Sequence, residues 1–362
     1  MRLSLVLIKN LLCTALVLLI STHSNATPSA ANYNHATTLV QDIKTIAHGD
    51  PEQAIVLWQS IVQQQHFSLS QWLQVSEAIG MGFANAQDIR ALQWLGKLPT
   101  KNLHNTTHIA RVKSAIRHGN WSDVAKWITA MPINLQQQQI WKYWHSRALI
   151  KLGSIHQART ILLQLANNNS YYGVLARHFL PYQDYMPPKS TKIPQQHILP
   201  ILHIAKNNDL DPAWILAIAK KESTFNANAA SAAGAIGLMQ LLPSTAVMLA
   251  KNTNITLRNI QDLYNPNINL ALGVKYLKQL LRQQQQHPIL ATAAYNAGPT
   301  RVKRWLPAKG TTMPADIWIE FIPYKETRHF VKTVITYSSN YQNILGSKIS
   351  LKKYLEPIAN IS

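Results

Sequence analysis

Cysteine is almost missing: the chain has one, Cys13, in 362 residues. A disulfide framework and any cysteine-ligated zinc or iron–sulfur centre are thereby excluded. Acidic residues are scarce as well, 15 Asp and Glu against 35 Lys and Arg, which leaves a formal charge of +20. Such a balance favours an anionic partner: nucleic acid, acidic lipid or an acidic polymer. A basic surface that only keeps the protein soluble accounts for it equally well. The 14 histidines show no metal spacing, HExxH is absent, and neither a P-loop nor a dinucleotide fingerprint occurs. No cofactor and no metal are expected. What is present is apolar mass, 47% of residues with 10 Trp and 13 Tyr, enough to exclude a wholly disordered chain. At about 100–200 residues per domain the length holds two domains or three.

The N-terminus reads MRLSLVLIKNLLCTALVLLISTHSNATPSA. Arg2 and Lys9 give it positive charge, and the apolar run Leu11–Ile20 is shorter than the roughly 20 residues a bilayer span needs. Ser24 and Ala26 place small residues for cleavage after Ala26, so residues 1–26 read as a signal peptide. The polar stretch Thr22–Asn34 argues against an uncleaved anchor, and Cys13 lies inside the apolar run, where a lipoprotein cysteine would not. Cleavage removes the only thiol and two cations, leaving +18. Export weakens the nucleic-acid reading of the charge. Outside the cytoplasm the abundant polyanions are cell-wall polymers and lipid head groups. No later stretch is apolar enough to cross a membrane.

Residues 27–180 read as consecutive helices. Apolar positions recur at helical spacing in Ala54-Ile55-Leu57-Trp58-Ile61-Val62, Val124-Trp127-Ile128 and Ala158-Ile161-Leu162-Leu165. Three similar junctions carry Gly49, Gly119 and Gly153, at spacings of 70 and 34 residues, near two repeats and one of a helix-pair solenoid. A glycine suits a left-handed helix C-cap at each. The region is read as stacked helical hairpins forming a superhelix, with an irregular bundle as the rival. Its tryptophans, Trp58, Trp72, Trp94, Trp121, Trp127, Trp141 and Trp144, are expected in the core. Pro181, Pro187, Pro188 and Pro194 forbid a continuous helix over residues 181–196, the expected linker. Residues 197–345 form a second helical region long enough for its own core, and residues 346–362 a tail. The fold class is mainly α.

Asp211 is a good N-cap and Pro212 fits the first helical position. The helix they open carries Ile215, Ile218 and Ala219 at seven, four and three residues before Glu222, on the same face. A carboxyl beside apolar neighbours loses hydration, which raises its pKa. An acid still protonated near neutral pH can protonate a leaving oxygen. From the helix alone, an exposed glutamate paired with a lysine is the simpler account. Lys221 would depress the acid if it turned inward, but helix neighbours point apart. The segments that follow are AASAAGAIGLMQLLPSTA at 229–246, AAYNAGP at 293–299 and IPYKETRHF at 322–330. Gly234 and Gly237 permit backbone geometry closed to other residues; Met239 is expected in the core.

In combination and order these blocks resemble the catalytic domain of the soluble lytic murein transglycosylases, over residues 197–345. The carriers are Glu222-Ser223, Ser231, Gly237-Leu238-Met239-Gln240, Tyr295-Asn296-Ala297-Gly298-Pro299 and Glu326-Thr327-Arg328. Residues 141–176 look like the helical segment preceding that domain in the large members. The resemblance implies a lysozyme-like, α-rich fold after the superhelix and a periplasmic location. It implies that Glu222 is the single catalytic acid/base, cleaving the bond between N-acetylmuramic acid and N-acetylglucosamine to leave a 1,6-anhydromuramoyl end. Ser231, Gln240, Tyr295, Asn296 and Glu326 match substrate-binding positions of the family. Leu242 stands where many members have methionine. Implied partners are peptidoglycan glycan strands, with cell-wall enzymes as candidates on the helical region, no nucleic acid, and no integral membrane segment after signal cleavage. Two rival readings stay open: a hydrolytic muramidase of the same fold, and a non-enzymatic wall-binding scaffold.

Overall fold

The computed structural model describes residues 30–185, 193–346 and 351–360. The signal peptide read over residues 1–26 lies outside them, as do Pro187 and Pro188 of the expected linker. Among the described residues the structure is almost wholly helical, and no helix is long and apolar enough to cross a membrane. The chain divides into two compact units after Ser114.

The first unit contains α1 (Ala30–Gly49), α2 (Pro51–Ile61), α3 (Leu69–Asn85) and α4 (Arg90–Leu95). The division falls within α5 (Asn105–Arg117). Ile43, Ala47, Trp58, Val75, Ile79, Phe83 and Leu95 build its core, at the spacing that puts one face of each helix inward. Asp50 caps α2 by accepting from the Gln53 amide at 3.0 Å, and Ser68 and Gln71 form a capping box on α3.

The second unit begins with α6 (Trp121–Thr129), α7 (Ile133–Gln136), α8 (Gln139–Lys151), α9 (Ile155–Ala166) and α10 (Tyr171–His178). Gly119 and Gly153 take left-handed φ of 68° and 82°. After each, an amide reaches back five residues, Asn120 to the Ala115 carbonyl (2.9 Å) and Ser154 to that of Leu149 (2.8 Å), closing the helix end as a left-handed cap does. Gly49 departs from that expectation. It is the last helical residue, and the turn after it is made by Asp50 at φ −140° and Pro51. Of the expected core tryptophans, Trp58, Trp127, Trp141 and Trp144 are buried, whereas Trp72, Trp94 and Trp121 keep partial exposure.

The same unit continues through α11 (Gln195–Asn208), α12 (Pro212–Ser223), α13 (Pro243–Lys251), α14 (Pro266–Gln283), α15 (Pro288–Ala297), α16 (Pro299–Arg304), α17 (Ala315–Glu320) and α18 (Lys325–Leu345). Pro212, Pro243, Pro266, Pro288 and Pro299 each open a helix, where the missing N–H costs nothing. Every residue from Ala213 to Ala219 is buried, so α12 runs through the centre, packed on α11 and α18.

Two buried carboxylates tie α8 and α10 to this core. Asp316 accepts from the Tyr143 hydroxyl (2.7 Å) and from Arg147 Nε (2.8 Å). Glu320 accepts from the Tyr172 hydroxyl (3.0 Å) and from Lys332 Nζ (2.7 Å). Residues 115–180 and 197–345 therefore share one compact unit. The tail read over residues 346–362 joins it too. Tyr354 is buried and donates to Asp211 Oδ2 at 3.1 Å, and β2 (Ile358–Ala359) pairs antiparallel with β1 (Thr312–Met313).

Candidate active site

The site is built from the end of α12 outward. Asp211 accepts from the Ala213 amide at 2.9 Å, and its second oxygen accepts from Gln342 Nε2 at 2.8 Å as well as from Tyr354. The start of the helix is thus pinned to α18 and to the C-terminal segment. Its other end stops abruptly, because Thr224 and Phe225 both adopt left-handed φ, 55° and 66°. For side chains bearing a Cβ, and for a β-branched one above all, this costs of order 1–3 kcal/mol per residue. Burial of the Phe225 ring, stacked on His197 with centroids 5.7 Å apart, offsets that cost.

Glu222 occupies the last turn before this break, partly buried, with Ile215, Ile218 and Ala219 fully enclosed beneath it. Loss of hydration pushes its carboxyl up to about 7 from an ordinary 4.5; the Lys221 ammonium opposes the shift, and the Glu326 carboxylate adds to it. Lys221 thus opposes the shift although neighbours on a helix point apart. Its Nζ lies 5.9 Å from the Phe330 ring centroid, on the helix that begins beside Glu326. A charge need not share a helical face to be felt across a poorly solvated gap.

The loop after α12 is held on three sides. Ser223 Oγ donates to the Leu238 carbonyl at 2.8 Å. The Met239 amide donates to Asn269 Oδ1 at 2.8 Å, and its carbonyl accepts from the Tyr295 hydroxyl at 2.7 Å. Asn269, fully buried on α14, uses its Nδ2 on the carbonyls of Ile236 (2.8 Å) and Leu263 (2.9 Å). Gly237 sits at φ 81°, where a Cβ would lie 2.3 Å from Asn269 Nδ2 and 2.4 Å from the Leu263 oxygen. The glycine is what lets the loop lie so close to α14. Met239 is buried, as expected.

Among the family-matched positions, Tyr295 feels the acid: burial first, then the Glu222 charge, raise its phenol well above the usual range. Asn296 donates to Glu326 Oε1 at 3.4 Å and accepts from Thr327 Oγ1 at 2.7 Å, fastening α15 to the start of α18. Glu326 is exposed. Gln240, at left-handed φ 47°, spends its amide nitrogen on the carbonyls of Ala229 (3.0 Å) and Gly237 (3.1 Å), so only its carbonyl oxygen is left to face a ligand. Ser231 is exposed at the Gly234 turn, where its Oγ accepts from the Ala235 amide at 3.0 Å. Glu222, Tyr295, Asn296 and Glu326 are thus brought together, with Gln240 joined through the loop; Ser231 has no hydrogen bond to any of them.

Four of the remaining carboxylates of residues 197–362 are occupied elsewhere. Asp211 caps α12, and Asp262 accepts from the Arg258 and Asn259 amides. Asp316 and Glu320 are buried in their ion pairs. Asp209 and Glu356 are exposed, and neither contributes to the Glu222 shift. Among the described residues no group of His, Cys, Asp and Glu is arranged to hold a metal ion.

Residues 200–317 match the family model of the transglycosylase SLT domain. The chain is 24% identical over 386 residues to the soluble lytic murein transglycosylase of Salmonella typhimurium, covering 85% of this chain and 60% of that protein. It is 22% identical over 392 residues to the Escherichia coli K12 protein of the same description, covering 86% and 60%. An inactive mutant of the lytic transglycosylase Slt from Pseudomonas aeruginosa superposes with a TM-score of 0.72 at 26% identity, over 86% of this chain and 64% of that one. Residues 200–317 carry a transglycosylase SLT domain, and over most of its length the chain is similar to soluble lytic murein transglycosylases. It spans about 60% of the length of the two curated relatives.

Within this SLT domain, three features escaped the sequence. Asn269 lies in the stretch DLYNPNINLALG, where nothing distinguishes a buried asparagine that holds a loop from one that caps a turn. Thr224 and Phe225 carry no glycine signal for their left-handed backbone. Tyr276, with its ring 5.4 Å from that of Tyr295, was not singled out by any motif.

Proposed function

We propose that this chain is a peptidoglycan lytic transglycosylase with Glu222 as its single acid/base. The protonated carboxyl donates its proton to the glycosidic oxygen between N-acetylmuramic acid and N-acetylglucosamine, and the C1–O bond breaks. The resulting carboxylate then takes the proton of the muramic 6-hydroxyl as that oxygen bonds to C1. The cycle returns Glu222 to its acid form, consumes no water and leaves a 1,6-anhydromuramoyl end. The observation that carries this reading is a partly buried carboxyl with its pKa at about 7, in a domain whose other carboxylates are, with the exception of Glu326, committed elsewhere or without effect on it. A two-carboxylate hydrolase needs an acid and a separate base or nucleophile across the bond. Gln240, Tyr295, Asn296, Glu326 and Ser231 are proposed to line the glycan path.

In this reading residues 1–26 export the protein to the periplasm, residues 27–180 form the superhelical part, 181–196 the linker and 197–345 the catalytic part. The basic charge suits an anionic wall polymer, and cell-wall enzymes are the candidate partners of the helical region. Digestion of purified sacculi by wild type and by Glu222→Gln, with mass analysis of the released ends, is the test. Wild type is expected to release anhydro ends and the variant almost none, while it stays folded. Reducing ends would make the chain a muramidase, and unchanged release by Glu222→Gln would remove that residue from the chemistry.

A further inference from the structure

A short segment after α18 grips the starts of two helices whose far ends carry site residues. It opens with a 3-10 turn (Leu351–Leu355) and closes with β2. Tyr354 and Ile358 are buried in the core. The Tyr354 hydroxyl donates to Asp211 Oδ2, and the other oxygen of that carboxylate caps α12. Two residues on, the Glu356 carbonyl accepts from His287 Nε2 at 3.0 Å. His287 is buried and is the N-cap of α15, where its Nδ1 accepts from the Ile289 amide at 3.3 Å. The two partners fix one neutral tautomer, with the proton on Nε2. Farther along, the Asn360 amide donates to the Thr311 carbonyl (3.2 Å), and its Nδ2 donates to the Pro307 carbonyl (2.8 Å). The segment is thus anchored at successive points along its length.

A helix is stiff along its axis, so a hold on its first turn sets the place of its last. Asp211 lies about 16 Å before Glu222 along α12, and His287 about 12 Å before Tyr295 along α15, at 1.5 Å per residue. At those far ends the Glu222 charge reaches the Tyr295 phenol. Loss of hydration is the largest influence on Glu222, and it depends on how closely the surrounding groups exclude water. A small axial slip of either helix would admit water. We infer that residues 351–360 are a positioning strap for the active site: Tyr354 through Asp211, and the Glu356 carbonyl through His287, set the axial register of α12 against α15 and so fix where Glu222 stands relative to Tyr295. The strap works from the two caps, because neither Tyr354, His287 nor Glu356 contributes to the Glu222 shift. Its effect on turnover rests on the reading of Glu222 as the acid; its effect on the carboxyl itself does not.

Two substitutions in the full chain test this. Tyr354→Phe removes only the hydroxyl and leaves Asp211 its bonds to Ala213 and Gln342. His287→Asn keeps an acceptor at the start of α15, since asparagine is a good N-cap, while its shorter side chain gives up the Glu356 carbonyl. The Glu222 carboxyl is titrated by carbon-13 NMR of glutamate-labelled protein, its signal identified by its loss in Glu222→Gln, and turnover is measured well below the melting transition. In each variant the Glu222 midpoint is expected to fall by about half a unit to one unit as water reaches the carboxyl. The alkaline limb should follow it, and kcat should drop about 3–30-fold while KM changes little. The charges that act on Glu222, those of Lys221 and Glu326, are untouched in both variants, so a moved midpoint reports placement. A segment that only stabilises the fold would lower the melting temperature and leave the midpoint in place. An unmoved midpoint in a variant that folds therefore overturns the strap, and Tyr354→Phe decides alone if His287→Asn unfolds. A moved midpoint with an unmoved pH–rate profile would keep the strap and remove Glu222 from the chemistry.

Discussion

A glutamic acid with a pKa of about 7 carries opposite consequences for stability and for turnover. Its folded pKa lies above the ordinary 4.5, so the charged form costs stability. That cost is absent below about pH 4.5, grows as pH rises through 7 and is complete above it. Glu222→Gln should therefore stabilise the protein by about 1–3 kcal/mol at pH 8, after allowance for partial exposure, and by little at pH 4. Thermal melts at the two pH values check this. On the proposed chemistry the alkaline limb of kcat/KM should fall with a midpoint near 7, because there only the protonated acid starts the cleavage. Lys221 lowers this pKa and Glu326 raises it. Lys221→Met should accordingly move the limb to higher pH and Glu326→Gln to lower pH, each by about half a unit to one unit. A pH–rate profile that stays in place in both variants would show that neither charge reaches the acid.

At the scale of elements, the end of α12 and the loop after it act as one part. Helix termination by two left-handed residues, the Ser223 bond to Leu238 and the grip of Asn269 and Tyr295 on Met239 leave the loop little freedom. Close packing makes this arrangement intolerant of volume. Gly237→Ala adds a methyl within 2.4 Å of both an amide and a backbone oxygen, at a φ that L residues avoid. It is expected to destabilise the protein by about 3 kcal/mol or more and to lower activity even below the melting transition, since the loop cannot close on α14. Denaturant unfolding together with turnover at low temperature distinguishes the two effects. Gly273 faces the same loop from α14, where a Cβ would meet Met239 Sδ at 2.4 Å. There the neighbour is a flexible thioether, so Gly273→Ala should cost less.

On the scale of the second unit, the helices before the proline-rich stretch and the SLT domain are joined through buried charge. Asp316 is satisfied by Tyr143, Arg147 and the Ile317 amide, and Arg147 lies over the Phe179 ring at 4.8 Å. Replacing the arginine leaves a buried carboxylate with its countercharge gone. Arg147→Met should cost about 3–5 kcal/mol, and part of it should return in the double variant with Asp316→Asn, which removes the orphaned charge. Equilibrium unfolding of the four proteins measures the coupling. A piece limited to residues 197–345 would expose Asp316 and Glu320 and lose Tyr354 from Asp211. This is why the helices on either side of the proline-rich stretch fall in one compact unit.

The sequence by itself determined the helical class, the prolines that open successive helices, the cap at Asp211 and the apolar face beneath Glu222, because these depend on neighbours within a few residues. It also contained the ordered blocks that mark the SLT domain. What only the tertiary structure decided was how strongly Glu222 is desolvated, which charges act on it, that Gln240 spends its amide on its own loop, and that Asn269 holds that loop from another helix. These follow from contacts between residues far apart in the chain. The energy of a carboxyl depends on what surrounds it in space, and a string of residues specifies that only once the chain has folded.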